Sequence, residues 1–104
     1  MFDTPPEPPY YAVIFISQLS NDARGYAEMA EQMITLAQTM PGFLGVESAR
    51  EQIGITVSFW RDEASIKHWR EHAEHILAQR LGREQWYQKY QIHIARVERC
   101  HQHP

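Results

Sequence analysis

A chain of 104 residues, 43% hydrophobic and 12% aromatic, is sized for one domain around one core and is too apolar for a disordered chain. Its formal net charge of −3 and pI near 6.0 offer no basic field to a phosphate backbone, which argues against nucleic acid as a partner. The single Cys100 excludes an internal disulfide and a multi-cysteine zinc site. No apolar run nears the roughly 20 residues of a membrane helix, and the N-terminus lacks a signal core, so a cytoplasmic protein with no membrane partner is expected.

Residues 1–9 hold Pro5, Pro6, Pro8 and Pro9, which remove backbone donors, and this segment is expected to be a flexible arm. Tyr10 to Gln18 is β-branched and aromatic enough for a strand, yet neither alternate face is polar before Ser17, so both faces need cover. Asn21 or Asp22 is placed to cap the following helix, in which Tyr26, Met29, Ala30, Met33, Ala37 and Met40 form an apolar stripe. At that spacing the methionines read as adaptable core filler. Pro41-Gly42 ends the helix, and Phe43 to Arg50 and Ile55 to Trp60 read as a hairpin turning near Gly54. In the second strand Ile55, Val57 and Phe59 point one way, while Thr56, Ser58 and Trp60 point the other.

Asp62 can accept hydrogen bonds from the free N–H groups of a second helix, which buries Ile66, Trp69, Ala73, Ile76 and Leu77 and runs to about Leu81-Gly82. A further turn is expected over Arg83 to Tyr87. Tyr90 to Arg99 reads as a last strand, with Tyr90, Ile92 and Ile94 on one face and His93 on the other, before a frayed tail at 100–104. The order β-α-β-β-α-β over residues 10–99 is the α+β, ferredoxin-like arrangement: a four-stranded antiparallel sheet with both helices on one face. The face left open needs a partner, so a homodimer with the two sheets face to face is expected.

Chemistry is sought first on the second helix. His68, His72, His75 and Gln79 follow steps of four, three and four along one side, and His68 to His72 matches H-x-x-E-H. That pattern supplies two ligands where a catalytic zinc takes three protein ligands, so the row reads as polar side chains beside the apolar stripe and no metal is expected. Trp69 lies on the stripe, where it packs against the sheet and can present its N–H to a flat ligand. Ser17 lacks a G-x-S-x-G turn, and no glycine-rich nucleotide loop is present.

Three stretches carry a family resemblance: Pro41-Gly42-Phe43-Leu44-Gly45-Val46-Glu47-Ser48, Ile55-Thr56-Val57-Ser58-Phe59-Trp60, and Ser65-Ile66-Lys67-His68-Trp69. Together the chain resembles the antibiotic biosynthesis monooxygenase domain over about Tyr10 to Glu98. The resemblance implies a ferredoxin-like dimer whose sheets form a shared α+β barrel, with a pocket between helices and sheet in each subunit. One branch of that family oxidises anionic polyketide phenols with oxygen alone, another oxidises quinols, and a third binds haem and opens its ring. The run Ala73 to Tyr87 resembles a subgroup of small bacterial members. The haem branch needs a helix tryptophan, which Trp69 matches, a ligating histidine where this chain has Ala78 or Gln79, and an asparagine on a first strand that has none. His75 sits on a different side of the helix from that position.

By this resemblance the chain is a cofactor-independent monooxygenase acting on a phenol, quinol or related aromatic, with molecular oxygen as co-substrate and Trp69, His72, His75 and Ser17 as its candidate catalytic residues. The alternative is a non-catalytic dimeric barrel that binds a small aromatic ligand, since fold alone does not imply oxygenation. Haem binding ranks below both.

Overall fold

A computed structural model describes residues 1–79 and 86–103. Its elements are β1 (Tyr10–Leu19), α1 (Tyr26–Gln38), β2 (Phe43–Arg50), β3 (Gly54–Trp60), α2 (Glu63–Gln79) and β4 (Tyr87–Val97). The strands form one antiparallel sheet in the order β2-β3-β1-β4. This is the βαββαβ ferredoxin-like fold expected from the sequence. The expected helix end at Leu81-Gly82 and the turn beginning at Arg83 lie outside the described residues. No described helix is long and apolar enough to cross a membrane.

Strand alternation assigns the two faces. Val13 and Phe15 of β1, Thr56 and Ser58 of β3, Val46 and Ser48 of β2, and Ile92 and Ile94 of β4 look toward the helices. Tyr10, Ala12, Ile14 and Ile16 look outward with Ile55, Val57 and Phe59, so both faces of β1 are apolar as its sequence implied. Two irregularities adjust this phase. At Gln18/Leu19 the register with β4 shifts by one residue, so Tyr87 and Tyr90 both reach the helix side although an odd step separates them. At Phe43/Gly45 a second shift pairs Phe43 with Trp60, and their rings meet edge to face at 5.5 Å.

The core lies between α1, the start of α2 and the middle of the sheet, where Ala37, Met40, Ile66 and a fully buried Trp60 pack together. Tyr11, Leu36, Phe43 and Trp69 close around them. Pro41-Gly42-Phe43 reaches this core by a close approach: Gly42 adopts φ 83°, and a Cβ there would collide with the Ser65 side chain at the start of α2. The Gly42 carbonyl also accepts a hydrogen bond from Arg61 N at 2.8 Å. Asp62 caps α2 as expected, its Oδ1 accepting from Ser65 N at 2.8 Å and Ser65 Oγ at 2.6 Å.

The start of α1 differs from expectation. Asp22 does not cap it; its carboxylate accepts from Arg24 Nε at 2.9 Å and Nη2 at 3.1 Å, and the helix begins at Tyr26 after Gly25 at φ 84°. The ion pair holds Asp22 outside the helix, and Trp86 fixes the loop instead. Its Nε1 donates to the Arg24 carbonyl at 2.7 Å, and its own carbonyl accepts from Ser20 N at 2.8 Å.

The proline-rich arm runs over the outer face. Phe2 lies 5.2 Å from the Phe59 ring and 6.5 Å from Tyr10, over the space left by Gly45. The N-terminal ammonium pairs with Glu47, and Gln102 of the tail donates to the Asp3 carbonyl at 2.7 Å.

Candidate functional site

Between the sheet and both helices lies a cavity of about 510 Å³, within the range of small-molecule sites. Its flanks are apolar: Met29, Met33 and Ala37 from α1, Ala73 from α2, and Val13, Phe15, Ile92 and Ile94 from the sheet. Met29 and Met33, expected as core filler, are therefore also wall residues, and Met29 is 1% exposed. Ser48 and Thr56 face each other across β2 and β3 with their hydroxyls 2.9 Å apart.

The ends are more polar. At one end Trp69 stacks on Trp60 with ring centroids 5.9 Å apart and planes inclined by 22°. Trp60 Nε1 donates to Ser58 Oγ at 2.9 Å, while Trp69 makes no hydrogen bond among the described residues. At the far end of β3, roughly 20 Å away at the rise of an extended strand, Arg50 enters the wall. Arg50 Nη2 donates to Ser17 Oγ on β1 and lies 3.5 Å from the Tyr26 hydroxyl, with the guanidinium 5.3 Å from the centre of that ring. Gly54 makes this reach possible. It pairs with both Arg50 and Ser17, and a Cβ on it would occupy the space of the guanidinium.

Tyr87 completes this end, its ring 5.6 Å from Tyr26 and 5.5 Å from Tyr90. Burial pushes the Tyr87 phenol far above its ordinary range; Tyr26 raises it further through charge and a hydrogen bond, and Arg50 opposes them. Tyr87 is a neutral hydroxyl at any physiological pH. Among the described residues, no carboxylate forms an ion pair with Arg50.

Of the four residues singled out from the sequence, Trp69 lines the cavity and Ser17, 2% exposed, anchors its Arg50 end. His72 and His75 are exposed on α2 and outside the lining. His72 Nδ1 donates to the His68 carbonyl of its own helix at 3.0 Å, with the two rings 4.7 Å apart, and no group of three potential metal ligands occurs among the described residues. Arg50, Tyr26 and Tyr87 escaped the sequence reading. Strand alternation from Val46 through Ser48 to Arg50 was the available signal, together with a glycine at the next strand's start.

The sequence profile for antibiotic biosynthesis monooxygenase matches residues 9–81, which contain Trp69, Ser17 and Arg50. The chain belongs to the antibiotic biosynthesis monooxygenase family. It is 54% identical over 96 residues to the uncharacterized protein YqjZ of Bacillus subtilis, a match spanning 90% of this chain and 84% of that one. A shorter match, 40% over 43 residues, links it to the jasmonate monooxygenase ABM of Pyricularia oryzae and covers 41% of this chain but 20% of that enzyme. Among solved structures, SnoaB of Streptomyces nogalater, described as a cofactor-independent oxygenase, superposes with a TM-score of 0.69 at 8% identity, over 89% of this chain and 97% of that one. PA3566 of Pseudomonas aeruginosa superposes with a TM-score of 0.70 at 16% identity, over 90% and 97%. At those identities the superpositions establish a shared fold.

Proposed function

We propose that this protein is a cofactor-independent monooxygenase that oxidises a phenol, quinol or related electron-rich aromatic in the cavity between sheet and helices. The observation that carries the reading is the tryptophan end of that cavity: Trp69 in the wall, backed by the buried Trp60 on which it stacks and with no hydrogen bond on its N–H among the described residues, in a largely apolar space large enough for fused rings. Family membership supports it.

The chemistry asks for exclusion of water, a flat binding surface and a donor for developing charge. The substrate anion passes one electron to oxygen, and the radical pair closes a C–O bond at a ring carbon. The peroxide then splits: one oxygen stays as the new carbonyl, and the other leaves as water with the ring-carbon hydrogen and the phenolic proton. In this scheme the α1 and β1 flanks shield the radical pair from bulk water, the bound ring covers the half-exposed Ile92 and Ile94 on the β4 side, and Trp69 stacks on the ring and offers its N–H to the peroxide oxygen. Ser17 acts indirectly by holding Arg50. The working unit is a homodimer, with a second copy covering the outer sheet face. His72 and His75, exposed as they are, would enter the site only through a partner or a ligand that reaches around α2.

Oxygen uptake by metal-free protein across phenols and quinols, matched mole for mole to quinone formed, tests the reading. Turnover should fall about tenfold or more in Trp69→Phe. Uptake no greater than in that variant for every substrate would leave the alternative, a barrel that binds an aromatic ligand without oxidising it. That alternative draws on one observation: among the described residues, no histidine lines the cavity to act as a base near neutral pH.

A further inference from the structure

We propose that the Arg50 end of the cavity is a carboxylate subsite, so that the ligand is an aromatic acid lying along β3 with its carboxylate at Arg50 and its ring system toward Trp69. The inference deepens the functional reading above and rests on the same cavity, but not on oxygen chemistry.

A guanidinium that leaves bulk water needs acceptors, and among the described residues the half-buried Arg50 meets hydroxyls and a ring face and no carboxylate. Nη2 is turned to Ser17 and Tyr26, leaving the rest of a planar five-donor fork for something else. A carboxylate fits that fork with two parallel hydrogen bonds, which a single phenolate oxygen does not. The Tyr26 and Tyr87 hydroxyls flank the position, and Tyr87 is held neutral by burial, so it adds a dipole without a competing charge.

Charge number separates a carboxylate from a phosphate. Among the described residues, Arg70 is the other arginine of the lining, exposed on α2 beside Glu74 in the same wall, and no lysine lines the cavity. One half-buried cation matches one negative charge; a dianion would remain undercompensated. The rest of the wall is apolar and suits an aromatic body. Gly54 shows that the arrangement is built into the sheet: three adjacent strands contribute Arg50, a vacancy and Ser17 in register, and without that vacancy Arg50 would stay outside.

The test is binding, read by tryptophan fluorescence, of 2-naphthoate against its neutral isostere 2-naphthamide at neutral pH and low salt. Wild-type protein should bind the acid about tenfold or more tighter than the amide. Arg50→Gln should bring the two to parity by weakening the acid more than the amide, and Gly54→Ala, which displaces Arg50 without removing it, should do the same. Equal affinity in the wild type overturns the subsite, as does an acid preference that survives Arg50→Gln. Should Arg50→Gln lose its fold by circular dichroism, Ser17→Ala and the wild-type pair of ligands still decide: Ser17→Ala should shrink the preference, and an unchanged preference counts against the proposal. An acid preference without oxygen uptake on any aromatic would retain the subsite and remove the oxygenase reading; uptake on neutral quinols without acid preference would do the reverse.

Discussion

Arg50 at the end of β2 hydrogen-bonds Ser17 on β1 although the whole of β3 lies between their strands. The contact exists because the residue of β3 that pairs with both is Gly54. A side chain at that position and the guanidinium cannot coexist in this geometry.

Gly54→Ala should therefore destabilise the fold by about 1–3 kcal/mol, the usual range for an added methyl in a filled site. In an Arg50→Ala background the same change should cost clearly less, because its collision partner is gone. Urea denaturation of the four proteins of this cycle measures the coupling, and strict additivity would show that Arg50 does not occupy the space above Gly54.

Gly25 and Gly42 have nearly the same positive φ, 84° and 83°, but different surroundings. A Cβ at Gly25 would meet Trp86 at an ordinary 3.6 Å, whereas at Gly42 it would strike Ser65, whose hydroxyl is already held by Asp62. Gly25→Ala should show only the left-handed penalty, about 1–2 kcal/mol. Gly42→Ala should exceed it and lower Tm further. Equal losses would mean that the Pro41-Gly42-Phe43 turn does not press on α2.

These positions also show what was legible in the sequence. The Asp62 cap spans three residues, and the Trp69 stripe follows helical spacing, so both could be read locally. Asp22 was an equally good cap by type, but a neighbouring arginine took its carboxylate and the helix started later at Tyr26. The polar end of the cavity was beyond local reading, because Ser17, Arg50 and Tyr87 come together only through strand register and a one-residue shift beside Leu19. His72 and His75 share a side of α2 with each other; that spacing identified a common side without bringing it to the cavity.

Asp62 should make stability depend on acid. Its hydrogen bonds from Ser65, side chain first and backbone second, hold its carboxyl below the ordinary value, with Arg61 adding to the effect. A folded-state pKa below the unfolded one gives stabilisation that is present above the unfolded value, about 3.9, and lost as pH falls through the folded value. The Tm difference between wild type and Asp62→Ala should be largest near neutral pH and shrink below about pH 4. A difference that stays constant down to pH 2 would assign the loss to something other than the charged cap.

The last prediction concerns the outer sheet face. Its middle is apolar, with Ile14 and Ile16 on β1 beside Val57 and a 45% exposed Ile55 on β3, while the flanking strands carry Glu47 on one side and Lys89, Gln91 and His93 on the other. An apolar centre inside a polar rim is the anatomy of an interface, and Phe2 extends it by covering Tyr10 and Phe59 at one corner. Sedimentation at micromolar concentration should give twice the 12.2 kDa chain mass. Val57→Lys, which sets a charge at the centre of the face, should yield monomer or insoluble protein, whereas Gln91→Lys at the rim should leave the dimer intact. Removal of residues 1–9 should weaken the dimer without preventing folding, since the arm touches the sheet at its edge, through the Phe2 corner and the pairing of its terminal ammonium with Glu47, and adds nothing to the core between sheet and helices. A wild-type chain that sediments as a soluble monomer would show that the arm and solvent suffice to cover this face, and the shared-barrel assembly would then be abandoned.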